Sequence, residues 1–350
     1  GTPEDAENAL ATQCSDLIGM SRAHISDAAF GNKAKNGAAA SIRPCVFDNS
    51  SWGEIHQGKP LAEFHNPMLG HQGEADWTPD QAKVTKKIII VGAGPAGLEC
   101  ARISAERGHH VTVYEASSRA GGQLALWANA PSMNELRRVI DWRLDELARL
   151  NVLVHFDSLM TRTDILKLEV DAVVIATGAF EQHRTFDGDS KIKIITPHDV
   201  LGGAFVQESN VLVLNDGRGQ AGVAAAEALL HQKKTVEIVS SDIAVASDID
   251  ATNRSAWFER LGKLNCSFTN SNIIKSINHN QVTLCNVFDS RSEIREAIDL
   301  IVDWSGSKAN DELVTAFDYS NIEVFSVGDC RAPRTVEIAI SEAMAIAEKI

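Results

Sequence analysis

Between an apolar run, Ile88 to Val91, and a helical stretch from about Ala96 to Arg107, the chain reads Gly92-Ala93-Gly94-Pro95-Ala96-Gly97. Three glycines at this spacing admit few folds. Gly92 makes the tight turn off a strand, Gly94 leaves backbone bare where a phosphate can approach, and Gly97 lets the helix lie against the strand. Pro95 and Ala96 open the helix, whose first amides face the phosphates. A second strand, Val111 to Tyr114, follows, and Glu115 stands at its end, where a carboxylate can accept both ribose hydroxyls. The stretch predicts a βαβ unit of a parallel sheet that holds the pyrophosphate of an ADP-containing cofactor.

A second unit of the same kind is expected from Val211 to Leu214, then Gly217 to Leu230, then Val236 to Val239. Its turn reads Asp216-Gly217-Arg218-Gly219-Gln220-Ala221-Gly222. The strand that follows ends on Ser240 and Ser241, with no carboxylate for an NAD ribose and no arginine for an NADP phosphate, and Asp242 comes late. Two readings stay open: an NAD(P) site, or a domain that keeps the fold without the ligand. Val324 to Gly328, with a helix from Val336, is expected to return to the first sheet.

At 350 residues the chain has room for two or three cores. The 33 Lys and Arg against 47 Asp and Glu give a formal net charge of −14, which opposes nucleic acid and anionic lipid. The six cysteines are scattered with no C-x-x-C pair, which reads as reduced thiols and a cytoplasmic setting. The longest apolar runs are strand-sized, far short of the roughly 20 residues that span a bilayer.

Thr2-Pro3-Glu4-Asp5 has the marks of a helix start, and that helix should reach about Thr12. Asp16 to Met20 reads as a brief buried strand, with Ser21 and Arg22 leaving it in a loop. Residues 31–83 carry no sustained period and are expected to be mostly irregular. The sequence starts with neither Met nor a signal peptide, and is expected to begin inside a longer protein. His56, His65 and the pair His109-His110 show no metal spacing and read as loop and turn histidines. Trp127, Trp142 and Trp304 read as core or interface packing.

Further motifs narrow the class. Gly121-Gly122-Gln123-Leu124, Ala176-Thr177-Gly178 and Val327-Gly328-Asp329 accompany the first turn as in two-dinucleotide flavoproteins, which selects FAD over NAD there. Together with Gly19-Met20-Ser21-Arg22, Ile42-Arg43-Pro44-Cys45, Ile55-His56-Gln57-Gly58-Lys59-Pro60, His65-Asn66-Pro67 and Cys330-Arg331-Ala332-Pro333-Arg334, they resemble the trimethylamine dehydrogenase and 2,4-dienoyl-CoA reductase family along essentially the whole chain. Gln123-Leu124 with Ala130-Pro131, Val139 to Arg143, Asp248-Ile249 and Asn310 to Leu313 look most like the branch of N-methylproline and dimethylglycine demethylases.

The resemblance implies an α/β fold: two Rossmann-like nucleotide-binding domains, glutathione-reductase-like, after the last part of a (β/α)8 barrel. Residues 1–44 would be the barrel remnant and 45–84 a degenerate iron–sulfur loop and linker. Residues 85–205 with 315–350 would bind FAD or ADP, and 206–314 would form the NAD(P)-like domain. In such enzymes FMN in the barrel takes a hydride from an N-methyl group, the iminium hydrolyses to formaldehyde, and electrons leave through a 4Fe–4S cluster. Gly178, Gly122 and Gln123 would line the FAD site, and Asp329 would stand by the flavin ribityl and phosphate groups.

Gly19 and Arg22 sit where a barrel grips the FMN phosphate, so FMN is expected only with the missing barrel. The cluster positions read Cys45, Asp48, Ser51 and Phe64, one thiolate of four, so Cys45 is a remnant and no 4Fe–4S cluster is expected. Catalytic residues would lie in the barrel, with an amine or enoyl substrate, and a homo-oligomer is expected. The rivals are an NAD(P)H-dependent enoate or dienoyl-CoA reductase and a non-catalytic ADP-binding or partner-docking module.

Overall fold

The computed structural model describes residues 1–189, 191–317 and 322–350. Helix α1 (Pro3–Ala11) starts as the sequence predicts, with Thr2 and Asp5 exchanging hydrogen bonds in a capping box. Asp16 to Met20, however, is not a strand, and Leu17 is 86 % exposed. Strand pairing is non-local, and none of the described sheets includes these residues. Ser21 and Arg22 do not form a loop either, since they open helix α2 (Ser21–Ser26). Short helices α3 (Phe30–Lys35) and α4 (Ser50–His56) interrupt an otherwise irregular stretch.

The first nucleotide unit then runs β1 (Lys87–Val91), α5 (Pro95–Glu106), β2 (His110–Tyr114), α6 (Gly122–Trp127), α7 (Arg137–Arg149), β3 (Leu153–His155), α8 (Arg162–Leu166) and β4 (Ala172–Ile175). The chain leaves through β5 (Ala179–Glu181) into β6 (Lys193–Ile195), α9 (Pro197–Leu201), β7 (Asn210–Asn215), α10 (Ala221–His231), β8 (Thr235–Val239), α11 (Ala251–Lys263) and β9 (Ser267–Thr269). An antiparallel meander follows, β10 (Asn272–Asn278), β11 (Gln281–Asn286) and β12 (Ser292–Arg295), and then β13 (Leu300–Trp304) and β14 (Ser307–Ala309). The chain closes with α12 (Glu312–Ala316), β15 (Glu323–Ser326) and α13 (Val336–Ala347).

Two five-stranded parallel sheets result, ordered β15-β4-β1-β2-β3 and β6-β13-β7-β8-β9. Strands β1, β4, β7 and β13 are apolar almost throughout because helices cover both faces of such sheets. The expected return of the chain to the first sheet is seen in Glu323–Ser326, which pairs with Ala172–Ile175.

The chain separates into two compact units: Gly1–Ala125 with Glu135–Ala179 and Ala309–Ile350, and Leu126–Asn134 with Phe180–Lys308. These units part at Ala179/Phe180 and Lys308/Ala309, where the sequence reading places domain boundaries at 205/206 and 314/315. Residues 180–205 belong to the second unit because β6 pairs with β13 and α9 packs on α10. Residues 1–84 fold as part of the first unit, not as separate modules. No described helix is long and apolar enough to cross a membrane.

What ties residues 21–74 to the first unit is a buried polar network. Arg143 of α7, fully buried, pairs with Glu99 of α5 at 2.9 Å and donates to the His65 carbonyl oxygen at 3.1 Å. Glu99 also holds Arg102 at 2.6 Å. Arg143 donates to His65 Nδ1 at 3.2 Å, which puts the imidazole proton on Nε2, where it reaches the Pro44 carbonyl oxygen at 2.7 Å. Burial, then the Arg143 and Arg43 charges, hold the His65 pKa well below its usual value, so the ring is neutral.

His65 stands in a loop, as the sequence reading has it, and is at the same time a fully buried core residue. Glu63 accepts from Ser26 Oγ and from the amides of His65 and Asn66, while Asn66 Oδ1 accepts from Arg43. Trp142 donates to the Ser41 carbonyl oxygen and carries Arg43 over its ring at 4.9 Å. Removing Arg143 leaves the buried Glu99 carboxylate with Arg102 as its one guanidinium partner among the described residues and takes the Arg143 donors from His65. Arg143→Ala is therefore expected to lower the unfolding free energy by about 3–5 kcal/mol in urea denaturation, and a loss below about 1 kcal/mol would contradict this role for the network.

Candidate functional site

The first glycine turn joins β1 to α5, and each glycine answers to a different neighbour. Gly92 has φ +111°, and a Cβ there would collide with the Ala176 carbonyl oxygen of the adjoining β4 turn. A Cβ at Gly97 would strike the Gly92 carbonyl oxygen. Helix and strands therefore meet backbone to backbone. At Gly94 a Cβ would meet no protein atom within 4 Å. No packing inside the protein demands glycine there. The backbone at Gly94 is left accessible, as expected where a pyrophosphate lies against it. Gly94 caps α5 with φ −72° and ψ 175°, and Pro95 takes the first helical position.

The structure gathers the other predicted residues around this turn. Glu115 Oε2 accepts the Ala93 amide at 2.7 Å, while Oε1 accepts the amide and hydroxyl of Ser117 at 2.9 and 2.7 Å. Ser117 was not foreseen, although it stands two residues beyond the acid. The carboxylate is thus preset at the end of β2. The Gly121 amide donates to the Ala93 carbonyl oxygen at 2.8 Å, and the Cβ position of Gly122 lies 3.5 Å from Gly94 Cα. Gly121 (φ +109°) is pressed against Ile140, so a side chain there would displace the turn.

Gln123 reaches the Ala179 carbonyl oxygen at 3.3 Å. Gly178 (φ +73°) faces open space and its carbonyl oxygen accepts the Asn310 amide at 3.0 Å. Gly328 (φ +72°) brings the turn before α13 against α5, its Cβ position 2.9 Å from Ala96 Cβ. Asp329 Oδ1 accepts the Arg334 amide at 3.0 Å, and partial burial raises its pKa. The turn, Glu115, the Gly121-Gly122 pair and the Gly328-Asp329 turn thus form one cradle, open at Gly94, whose donors and carboxylate suit the ADP half of a dinucleotide.

The remaining predicted residues stand apart from this cradle. Gly19 and Arg22 are exposed, and Arg22 rests over the Phe47 ring at 4.8 Å. Cys45 is buried and its carbonyl oxygen accepts from Arg138, while Phe64 is a core residue 6 % exposed. A thiol, the Asp48 carboxylate, the Ser51 hydroxyl and a buried phenyl ring do not fit a four-iron cluster, which wants four thiolates. Among the described residues no group of three or more His, Cys, Asp or Glu could hold a metal. The Cys100 thiol, in the middle of α5, is pushed up to about 12 by burial and is inert.

In the second unit, the glycines at Gly217 and Gly222 are required by the protein itself. A Cβ at Gly217 would lie 2.6 Å from the Trp304 ring, and one at Gly222 would strike Asn215 Oδ1. Those two glycines are explained by packing.

Two successive parallel α/β sheets, the first with a glycine turn open at Gly94 and a carboxylate at the end of its second strand, are the architecture of oxidoreductases with paired Rossmann-like domains. The sequence pattern of the pyridine nucleotide-disulphide oxidoreductase family matches residues 71–132 and 86–343, and the chain belongs to that family of flavin-dependent oxidoreductases.

Relatives are similar in sequence and, where solved, in structure. A probable N-methylproline demethylase of Rhizobium meliloti (strain 1021) is 34 % identical over 264 residues, 75 % of this chain and 39 % of that protein. An N,N-dimethylglycine/sarcosine dehydrogenase of Chromohalobacter salexigens is 28 % identical over 385 residues, 98 % of this chain and 56 % of that protein. Among solved structures, 2-naphthoyl-CoA reductase superposes with a TM-score of 0.89 at 26 % identity, over 100 % of this chain and 53 % of that one. The chain spans about half the length of the relatives it matches.

Gly94 and Gly97 make a discriminating pair. Gly94→Ala should leave the unfolding free energy of the cofactor-free chain within about 0.5–1 kcal/mol and weaken the bound dinucleotide at least about tenfold in equilibrium titration. Gly97→Ala should cost both stability and binding. Equal destabilisation by the two would argue that Gly94 serves packing rather than a ligand.

Proposed function

We propose that this chain is the nucleotide-binding half of a flavin-dependent amine dehydrogenase or N-methyl amino acid demethylase, with FAD, or ADP alone, in the first glycine turn. The observation that carries the reading is the cradle open at Gly94, with the carboxylate of Glu115 fixed at its edge. The amides that begin α5 would hold the pyrophosphate, and Glu115 would accept the ribose hydroxyls, releasing Ala93 or sharing with it. Asp329, beside Gly328 on the same cradle, would face the ribityl and phosphate groups. A flavin bound there supplies hydride and electron acceptance.

The names of the demethylase and dehydrogenase relatives support an N-methylated amine as the substrate class. The substrate and FMN would belong to a barrel outside this chain, with Gly19 and Arg22 at the FMN phosphate. Electrons would leave to a protein acceptor such as an electron-transfer flavoprotein. The six free thiols support a cytoplasmic setting, and we expect a homo-oligomer. A second reading, an NAD(P)H-dependent enoate or acyl-CoA reductase, is favoured by the likeness to 2-naphthoyl-CoA reductase.

Acid extraction and chromatography of the purified chain should release about one FAD or ADP per chain. Release of neither would remove the basis of the proposal. Anaerobic mixing of the flavin-loaded chain with NADH or NADPH should leave the flavin oxidised. Rapid bleaching by either would transfer the assignment to the reductase reading.

A further inference from the structure

The two glycine turns share a spelling but not a conformation. In the first, α5 begins immediately after Gly94, whose backbone is extended. In the second, α10 begins at Ala221, with Gln220 as its cap, and Gly219 adopts φ +80° in the left-handed region. The rotated Gly219 amide donates to Asp248 Oδ2 at 2.6 Å. Asp248 comes from the loop that joins β8 to α11, so a carboxylate of the chain stands on the amide that would otherwise meet a pyrophosphate oxygen. Backbone amides of such turns prefer an anion, and here the anion is internal.

The surroundings hold this arrangement from several sides. Asp216, at the start of the turn, accepts the Ser241 amide at 2.7 Å and pairs with Arg184 at 2.6 Å. Trp304 Nε1 donates to the Arg218 carbonyl oxygen at 3.1 Å, and Gln220 Oε1 accepts from Trp257 Nε1 at 2.9 Å. Within the loop, Asp242 accepts the Ser247 hydroxyl, Arg254 donates to the Ser247 carbonyl oxygen at 3.0 Å, and Asp250 caps α11. Two carboxylates, Asp216 and Asp248, thus lie on the turn, and Asp242 is bonded to Ser247 in the loop that carries Asp248. A dinucleotide would have to displace one and bring its own negative charge among the others.

We infer that Asp248 is the specificity-determining residue that excludes pyrophosphate-bearing nucleotides, NADH and NADPH included, from the second glycine turn. The fold there is retained with its anion site filled by the protein, and nicotinamide is no electron source at this unit. The inference stands whichever cofactor occupies the first turn.

Two measurements on the full chain, with the first turn saturated by FAD, test it. Amide hydrogen exchange across residues 216–222 reads the contact, and calorimetric titration with ADP-ribose, a redox-inert dinucleotide fragment, reads the site. Asp248 is exposed, so its replacement is compatible with folding. Asp248→Gly should speed exchange at Gly219 about tenfold and tighten ADP-ribose binding at least about tenfold over wild type. Asp248→Asn should shift both in the same direction by less.

Glu259→Gln on α11, which removes the same charge from an exposed pair with Lys263, should change neither. Flavin retained at the first turn shows that the variants are folded and tests the preceding proposal separately. The inference is overturned if wild type binds ADP-ribose as tightly as the Asp248 variants do, or if exchange at Gly219 does not respond to them.

Discussion

The first unit depends on one close approach, the contact of α5 with the ends of β1 and β4 at Gly92 and Gly97. Carbonyl oxygens occupy the places that Cβ atoms would take, so the helix axis comes nearer to the sheet than side chains allow. That proximity aims the first amides of α5 at the space beside Gly94. The pairing of Val91 with Tyr114 then brings Glu115 to the Ala93 amide. A larger residue at either glycine would move the helix, and with it the cradle.

The same helix carries a second duty in its middle. Glu99 and Arg102 face α7 and the segment 21–74, and Arg143 completes the ion network from α7. Buried charges are costly unless every partner is present, so the network admits one arrangement of His65, Pro44 and Arg43. Loop residues that a pattern reading leaves unassigned are thereby placed as firmly as a core strand. The region where the resemblance implies an iron–sulfur loop is organised by guanidinium, carboxylate and imidazole.

The two turns show how little a motif determines by itself. Both read G-x-G-x-x-G after an apolar strand. In the first, the middle glycine faces open space. In the second, the Cβ position of the middle glycine is free as well, and the outer two are closed by packing in both; what differs is that Gly219 has φ +80° and gives its amide to Asp248. The difference lies in residues far along the chain from either turn. A glycine can be kept for a ligand or for a neighbour, and only the neighbour's position tells which.

Much of the fold was legible in the sequence, because its signals are local. Apolar runs of strand length, glycine spacing, the Thr2 cap and the acid at Glu115 each act within a few residues, and all stand where expected. The return of Val324 to the first sheet was legible because a parallel sheet leaves few other places for such a strand. Asp16 to Met20 misled, because an apolar stretch becomes a strand only with a partner, and pairing is not written locally. The unit boundary at Ala179 was hidden for the same reason, being decided by β6 finding β13. By itself the sequence determined two glycine turns of one spelling, each set between an apolar strand and a helix. Only the tertiary structure decided that His65 is a neutral core residue and that Asp248 fills the second turn. Those outcomes depend on which distant groups share one small, weakly solvated space.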